Sequence, residues 1–445
     1  VSTHTSYSYR QIFKVAYPIF ITLLVQNLIQ VTDTAFLGRV GAVELGASAI
    51  AGIFYIVVFT LAFGFSTGAQ ILIGRRNGAG QYHQIGEITL HGALFLLLIA
   101  LGMFVFVKLC ARPALSAMLS SQEVLEASVT YLNRRIFGIF FACINVMFRA
   151  FYIGTTNTKI LTVNAIIMAG MNIVFDYALI FGHWGFTAMG IGGAAIASVI
   201  AEASSVLFFL CYTWMVVDLK KYGLNILRFK GWGVIQTVLQ VSLSLMFQYM
   251  ISLGTWLIFF LVIEKMGEAS LAASNIVRSM YMLFAIPVYA LATTTSTLVS
   301  NTVGADKKEE VLPLIWKIIR AALLIAFVFT LILLFFPDPV LRIYTNDPAL
   351  LAASRPALFV VAATLCFVAI GNIFFHSVSG TGNTKRALWI EILTVIFYLS
   401  YIWVLVNVVH ASLPVCWSSE ALYFGTLFIF SYRYLQSGKW KERKI

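Results

Sequence analysis

"GAVELGASAI" at residues 41–50 returns at 267–276 as "GEASLAASNI", and on that return the reading of the whole chain turns. "NGAG" (77–80) comes back as "VGAD" (303–306), and "GTTNTK" (154–159) as "GTGNTK" (380–385). From 41 to 267, from 77 to 303 and from 154 to 380, the shift is 226 each time. One match of this length is weak, but three at a single offset point to an internal duplication. The duplicated unit belongs in a bilayer. The 445 residues are 60% hydrophobic and only 11% charged, with a mean hydropathy of +0.90, whereas soluble domains carry about 25% charged residues.

A bilayer core takes about 20 apolar residues per helix. With Gly, Pro and charge clusters as breaks, spans are expected near 12–38, 48–74, 88–112, 128–152, 160–182 and 188–217. A second set follows near 234–263, 270–300, 313–336, 350–378, 387–408 and 412–435. Alternate loops then divide the basic residues unevenly. One side collects Arg10, Lys14, Arg75, Arg76, Lys159, Lys220, Lys221, Arg228, Lys230, Lys307, Lys308, Lys385 and Arg386, with the basic C-terminal tail. The other holds only Arg39, Lys108, Arg112, Lys265, Arg342 and Arg355. An excess of Lys and Arg marks the cytoplasmic side, so both termini are expected there. The fold class expected is an all-α integral membrane protein of twelve transmembrane helices, in two six-helix lobes related by a parallel repeat. Residues 1–217 form the N-lobe, 218–232 ("DLKKYGLNILRFKGW") the inter-lobe linker and 233–445 the C-lobe.

Composition excludes several functions. The net charge of +12 is spread in short clusters between apolar spans, which is a topology signal and not a nucleic-acid face. Cys110, Cys143, Cys211, Cys366 and Cys416 have no paired spacing, so neither a disulfide framework nor a cysteine metal site is expected. The six dispersed histidines include no HExxH, and no His/Asp or Ser/His arrangement supports an intramembrane enzyme. The first apolar stretch is too long for a cleavable signal peptide and retains Gln26 and Asp33. "GTTNTK" and "GTGNTK" lack phosphate-loop spacing and read as turns between spans, with Gly allowing a tight turn and Thr and Asn capping a helix start.

Polar residues inside spans carry the functional signal, because an intramembrane carboxylate costs a few kcal/mol on insertion scales. In "LLVQNLIQVTDTAFLGR" (23–39), Asp33 lies five residues before the apolar stretch ends at Gly38. On the fifth span Asn172 and Asp176 are i and i+4 and share a face, six residues of rise below Gly182 in the case of Asp176. At about 1.5 Å per residue both carboxylates lie roughly 8 to 9 Å below the same boundary, and Ser198 on the sixth span reaches about 15 Å, level with Asn172. Two carboxylates, an amide and a hydroxyl suit a small hard cation such as Na⁺. The same carboxylates could carry a proton, and the residues do not choose between these. The repeat carries Asp33 to Phe259, Asn172 to Tyr398 and Asp176 to Ile402, so acids are replaced by apolar and aromatic groups. A division of labour follows, with ion coupling in the N-lobe and apolar substrate contact in the C-lobe. Gln26, Gln248, Phe259, Asn275, Tyr398 and Glu202 are candidate cavity residues. Glu202 could serve as a proton relay or pair helices, Arg278 is placed to snorkel, and Glu391 to pair with Lys385 or Arg386. Glu420 has no evident partner in the sequence.

"VTDTAFLGRVGAVELGASAI" (31–50), "GTTNTK" (154–159), "NIVFDYALIFG" (172–182) and "GIGGAAIAS" (190–198) together resemble the multidrug and toxic compound extrusion (MATE) family. "QYMISLGTWLIFFLVIEKMG" (248–267) and "SNIVRSMY" (274–281) resemble its DinF-type branch, and the likeness runs over nearly the whole chain. It implies a secondary active multidrug efflux transporter of the prokaryotic inner membrane, working by alternating access. Amphipathic or cationic organic compounds would leave in exchange for Na⁺ or H⁺, with no cofactor and no nucleic-acid partner, and with the protein a monomer in the lipid bilayer. It also implies a cation site, Na⁺ included, at Asp33, Asn172 and Asp176, joined by a hydroxyl for which Ser198 is the candidate, unless the alignment slips to Ala197. The alternative reading is a lipid-linked oligosaccharide flippase of the same superfamily. Such proteins often have fourteen spans and a basic cavity, whereas Arg134, Arg135, Arg149 and Arg278 do not visibly converge here.

Overall fold

The computed structural model describes residues 7–225 and 231–442. The centre of the expected inter-lobe linker, with Arg228 and Lys230, lies outside the described residues. A chain in hydrocarbon must satisfy its backbone hydrogen bonds within itself, and helices do so without any neighbour. The first half forms α1 (Tyr9–Val40), α2 (Ala42–Gly78), α3 (Tyr82–Ser116), α4 (Gln122–Arg135), α5 (Gly138–Gly154), α6 (Lys159–Phe181) and α7 (Ile191–Val216), then the short α8 (Leu219–Tyr222). The second half forms α9 (Trp232–Glu264), α10 (Glu268–Gly304), α11 (Val311–Phe335), α12 (Pro337–Leu341), α13 (Pro348–Gly380), α14 (Thr384–Asn407), α15 (Leu413–Trp417) and α16 (Ser419–Gln436). Among the described residues 11 helices are long and apolar enough to cross a membrane, and 12 when α4 and α5 count as one bent span. The expected all-helical, twelve-span architecture is therefore present.

The duplication is visible in the helices themselves. α2 runs from 42 to 78 and α10 from 268 to 304, each 37 residues. One departure stands out: α4 and α5 meet at a bend of 53°, where the second half has the continuous α13. The expected fourth span, 128–152, is thus two helices.

The chain divides into two units, one of Ile21–Met246 and one of Val1–Phe20 with Phe247–Ile445. In the first, α2 packs on α3, α4 and α5, while α7 packs on α4, α5 and α6. In the second, α13 is central and packs on α10, α11, α14 and α16.

The repeated turn motif works differently from the expectation drawn from its glycine. Gly154 and Gly380 lie inside helices. A Cβ on Gly154 would stand 3.0 Å from the Gln70 carbonyl oxygen and 2.6 Å from the Ile73 side chain. A Cβ on Gly380 would stand 2.6 Å from the Ser296 carbonyl oxygen. Gln70 and Ser296 are themselves repeat mates, so one close helix contact was duplicated whole. The left-handed turn falls two residues later, at Thr156 (φ 60°) and Gly382 (φ 84°). The second copy has the residue that tolerates this conformation, and the first holds a β-branched side chain in it. Helix capping also differs between copies, for the Asn383 side chain accepts from the Arg386 amide (3.3 Å) while Thr158 stands at the start of α6 without capping it through its side chain.

Two substitutions test this reading of the turns. Gly380→Ala forces a methyl onto a carbonyl and is expected to destabilise by about 1–3 kcal/mol. Thr156→Gly relieves a left-handed β-branched residue and is expected to stabilise by up to about 1 kcal/mol. Thermal unfolding of the purified protein in detergent reads both signs.

Candidate functional site

Asp33 on α1 faces Asn172 and Asp176, which stand one turn apart on α6. The Asp33 carboxyl lies within side-chain hydrogen-bonding range of the Asp176 carboxyl and the Asn172 amide. Asp176 is 0% and Asn172 1% exposed. Four oxygens of this trio, Asp33 Oδ1, Asn172 Oδ1 and both of Asp176, are buried without a hydrogen-bond donor. Carboxylates bring no donors of their own, so two acids set against each other leave lone pairs that only a cation or a proton can satisfy. The donor set fits a small hard cation or a shared proton.

One turn beyond each acid the helices become apolar. Leu37 and Ile180 form a buried cluster with Ala47, Ile191 and Ala194, against which Phe36, Tyr131 and Phe181 pack. The Phe36 and Phe181 rings meet edge to face at 5.7 Å. This plug separates the trio from the α1–α2 and α6–α7 connections.

A buried ion pair flanks the trio. Arg135, at the end of α4, donates from Nη1 and Nη2 to the two oxygens of Glu202 on α7, at 2.8 and 2.5 Å. Its guanidinium lies 4.1 Å from the centre of the Tyr55 ring, whose π-face favours a cation. Arg135 acts electrostatically on Asp33 as well as on Glu202. Tyr131, one turn before Arg135, lies in the fields of Asp33, Asp176, Arg135 and Glu202. Gly138, at the start of α5, makes room for the pair, since a Cβ there would come within 2.3 Å of Arg135 Nη1 and 2.4 Å of Glu202 Oε2. A polar lane continues behind Glu202. Asn145 donates to the Glu202 carbonyl (3.1 Å), and Ser205 Oγ stands 2.8 Å from Asn145 Oδ1 and 2.9 Å from Asn164 Oδ1.

Of the expected site residues, Asp33, Asn172 and Asp176 come together. Ser198 is half-buried on α7 and makes no side-chain hydrogen bond to them, and the neighbouring Ala197 is buried. Gln26 is half-buried on α1 within the same unit. Glu202 is engaged by Arg135. Phe259 and Tyr398 lie in the other unit, packed 6.3 Å apart. Gln248 is buried there with Oε1 lacking a donor, and Asn275 is exposed, donating to the Leu271 carbonyl at 3.1 Å. Arg278 lies over the Phe260 ring at 5.3 Å. The sequence reading left out Tyr131 and gave Arg135 no partner. Their i, i+4 spacing within one apolar span was the available signal.

The MatE family model matches residues 18–178 and 241–404, most of both repeats. The chain belongs to the MatE family. A protein of Thermotoga maritima described as "Probable multidrug resistance protein NorM" is 25% identical over 98% of this chain and 94% of its own length. A Synechocystis protein of the same description is 27% identical over 76% of this chain and 74% of its own. Among solved structures, an outward-facing multidrug resistance MATE family transporter of the MOP superfamily superposes with a TM-score of 0.88 at 18% identity, covering 98% of this chain and 97% of that one. The Vibrio cholerae MATE transporter VcmN gives 0.86 at 16% identity, covering 98% of each. These structural likenesses establish the MATE fold. The donorless trio and the Arg135–Glu202 pair are properties of this chain's own side chains on that fold.

The pair has a stability consequence. Glu202→Gln leaves a buried guanidinium uncompensated, and breaking such a pair costs about 3–5 kcal/mol. The double variant Arg135→Met/Glu202→Met removes both charges and is expected to recover most of that loss in thermal unfolding.

Proposed function

We propose that this MATE protein is a cation-coupled exporter of amphipathic or cationic organic compounds, with Asp33, Asn172 and Asp176 as its coupling site. The observation that carries the reading is the set of four buried oxygens without donors. Arg135 does not neutralise them as a free counter-ion, because Glu202 holds its guanidinium in a two-point contact. The trio therefore keeps an affinity for a mobile cation. A cation or proton there lets α1 and α6 approach, and its departure restores the repulsion between two carboxylates. A site whose affinity differs between two packings of α1 on α6 shifts their populations, and this is what coupling requires. The apolar plug beyond Leu37 and Ile180 closes one side of the trio, so the ion reaches it from the opposite side in this conformation. The NorM relatives are described as multidrug resistance proteins, which supports organic compounds as cargo.

No catalytic step is assigned. Both termini are taken as cytoplasmic, in a prokaryotic inner membrane and in a monomer of the DinF-type branch, on the basic-residue distribution and the sequence motifs. The flippase alternative is less well supported. Its basic cavity needs several converging arginines, whereas Arg135 is engaged by Glu202 and Arg278 belongs to the other unit.

Efflux from proteoliposomes, driven separately by a Na⁺ gradient and by a pH gradient, tests the coupling site. One gradient is expected to drive efflux by the wild type, and Asp33→Asn or Asp176→Asn to abolish that drive while substrate binding persists. A variant that pumps like the wild type under either gradient makes the trio a structural feature.

A further inference from the structure

Two acids of the other unit take no part in the coupling reading. Glu391 on α14 is 0% exposed and Glu420 on α16 is 5% exposed. Glu391 does not pair with Lys385 or Arg386, as its sequence neighbourhood led us to expect. Its Oε1 accepts from Ser252 Oγ at 2.7 Å and from the Tyr423 hydroxyl at 2.5 Å, while Oε2 has no donor. The reason is rotational: position 391 faces α9 and α16, away from the turn that carries 385 and 386. Glu420 accepts from the hydroxyls of Tyr281 and Tyr398, at 3.3 and 3.4 Å. Among the described residues no Lys or Arg forms an ion pair with either acid.

The acids are connected. The Tyr398 ring stands 5.6 Å from that of Tyr423, so tyrosines bridge from Glu391 to Glu420. Thr394, 0% exposed, adds a hydroxyl without a partner beside this bridge, and the buried Ser419 hydroxyl lies against Tyr398. The titratable groups facing the pair are Tyr281 and Tyr289 from α10, Tyr398 from α14, Cys416 from α15 and Tyr423 from α16. α9 contributes Ser252, and α13, packed on α16, directs no charged group at them.

We propose that Glu391 and Glu420, joined through Tyr423 and Tyr398, form a second proton-binding site, separate from the trio and independent of its role. A carboxyl buried without a counter-cation stays neutral by keeping its proton, since ionising it there costs far more than one or two neutral hydrogen bonds return. Two alternatives fit the geometry less well. A metal ion needs several converging ligands, and among the described residues no three or more His, Cys, Asp or Glu side chains gather to hold one here. An organic cation needs room, yet Phe259 and Trp417 pack at 5.2 Å with both rings 0% exposed. A purely structural pair of permanently neutral acids differs in one observable, the absence of any titrating carboxyl band.

The test uses the full chain in lipid nanodiscs, without substrate, carrying Asp33→Asn and Asp176→Asn so that the trio is silent. Infrared difference spectra recorded as the pH is raised are expected to show loss of a protonated carboxyl band and gain of carboxylate. Glu391→Gln and Glu420→Gln should each remove about half of that change, and both together nearly all of it, by the one-proton-per-carboxyl count. Added Na⁺ or tetraphenylphosphonium should leave the change intact. Absence of a titrating band, a band indifferent to both Gln variants, or one abolished by Na⁺ or by the organic cation would overturn the proposal. Should a Gln variant not fold, Tyr398→Phe and Tyr423→Phe remove hydroxyl donors and keep the rings. They are expected to shift the band, and an unmoved band would equally sink the idea. Because the trio is silenced and nothing is transported, failure here leaves the coupling reading standing, and failure of coupling leaves this site standing.

Discussion

A carboxylate removed from water must be met by a cation, a proton or several hydrogen-bond donors, and this chain buries acids that answer the demand in three ways. Glu202 is met by a guanidinium in a two-point contact with an aromatic ring behind it. Asp33 and Asp176 are met mainly by each other, which leaves lone pairs unanswered. Glu391 and Glu420 are met by hydroxyls alone. The first arrangement is complete and holds α4 to α7. The other two are incomplete, and an incomplete site is one that a mobile charge can enter and leave.

The duplicated scaffold shows how these arrangements arose on one framework. Close helix contacts were copied with the backbone, as at Gly154 on α2 and Gly380 on α10. Chemistry was not copied. The positions of Asp33, Asn172 and Asp176 hold Phe259, Tyr398 and Ile402 in the second half, yet that half is not without acids. Glu391 and Glu420 lie at other positions and are wrapped in tyrosine. Packing constrains the backbone of both copies in the same way, whereas each polar side chain needs only its own local partners.

The bend between α4 and α5 lies beside the first of these contacts. The Arg135–Glu202 contact occupies space that a side chain at 138 would fill, and Gly138 leaves it open. The second copy has no such pair at the corresponding place, and α13 runs through unbroken.

Much of this was legible in the linear sequence. Hydropathy and charge clusters give the spans, the shift of 226 gives the two halves, and the i, i+4 pair Asn172 and Asp176 with the equal depth of Asp33 gives the trio. Those features are periodic or local, and a helix converts them directly into faces and depths. The tertiary structure alone decided that Arg135 belongs to Glu202, that Glu391 turns to Ser252 and Tyr423 and not to Lys385, and that the motif glycines serve helix packing while the turn falls at Thr156 and Gly382. Each of these depends on how a helix is rotated against its neighbours and which neighbours it has. Residues far apart in the chain settle that jointly, through packing that no single segment encodes.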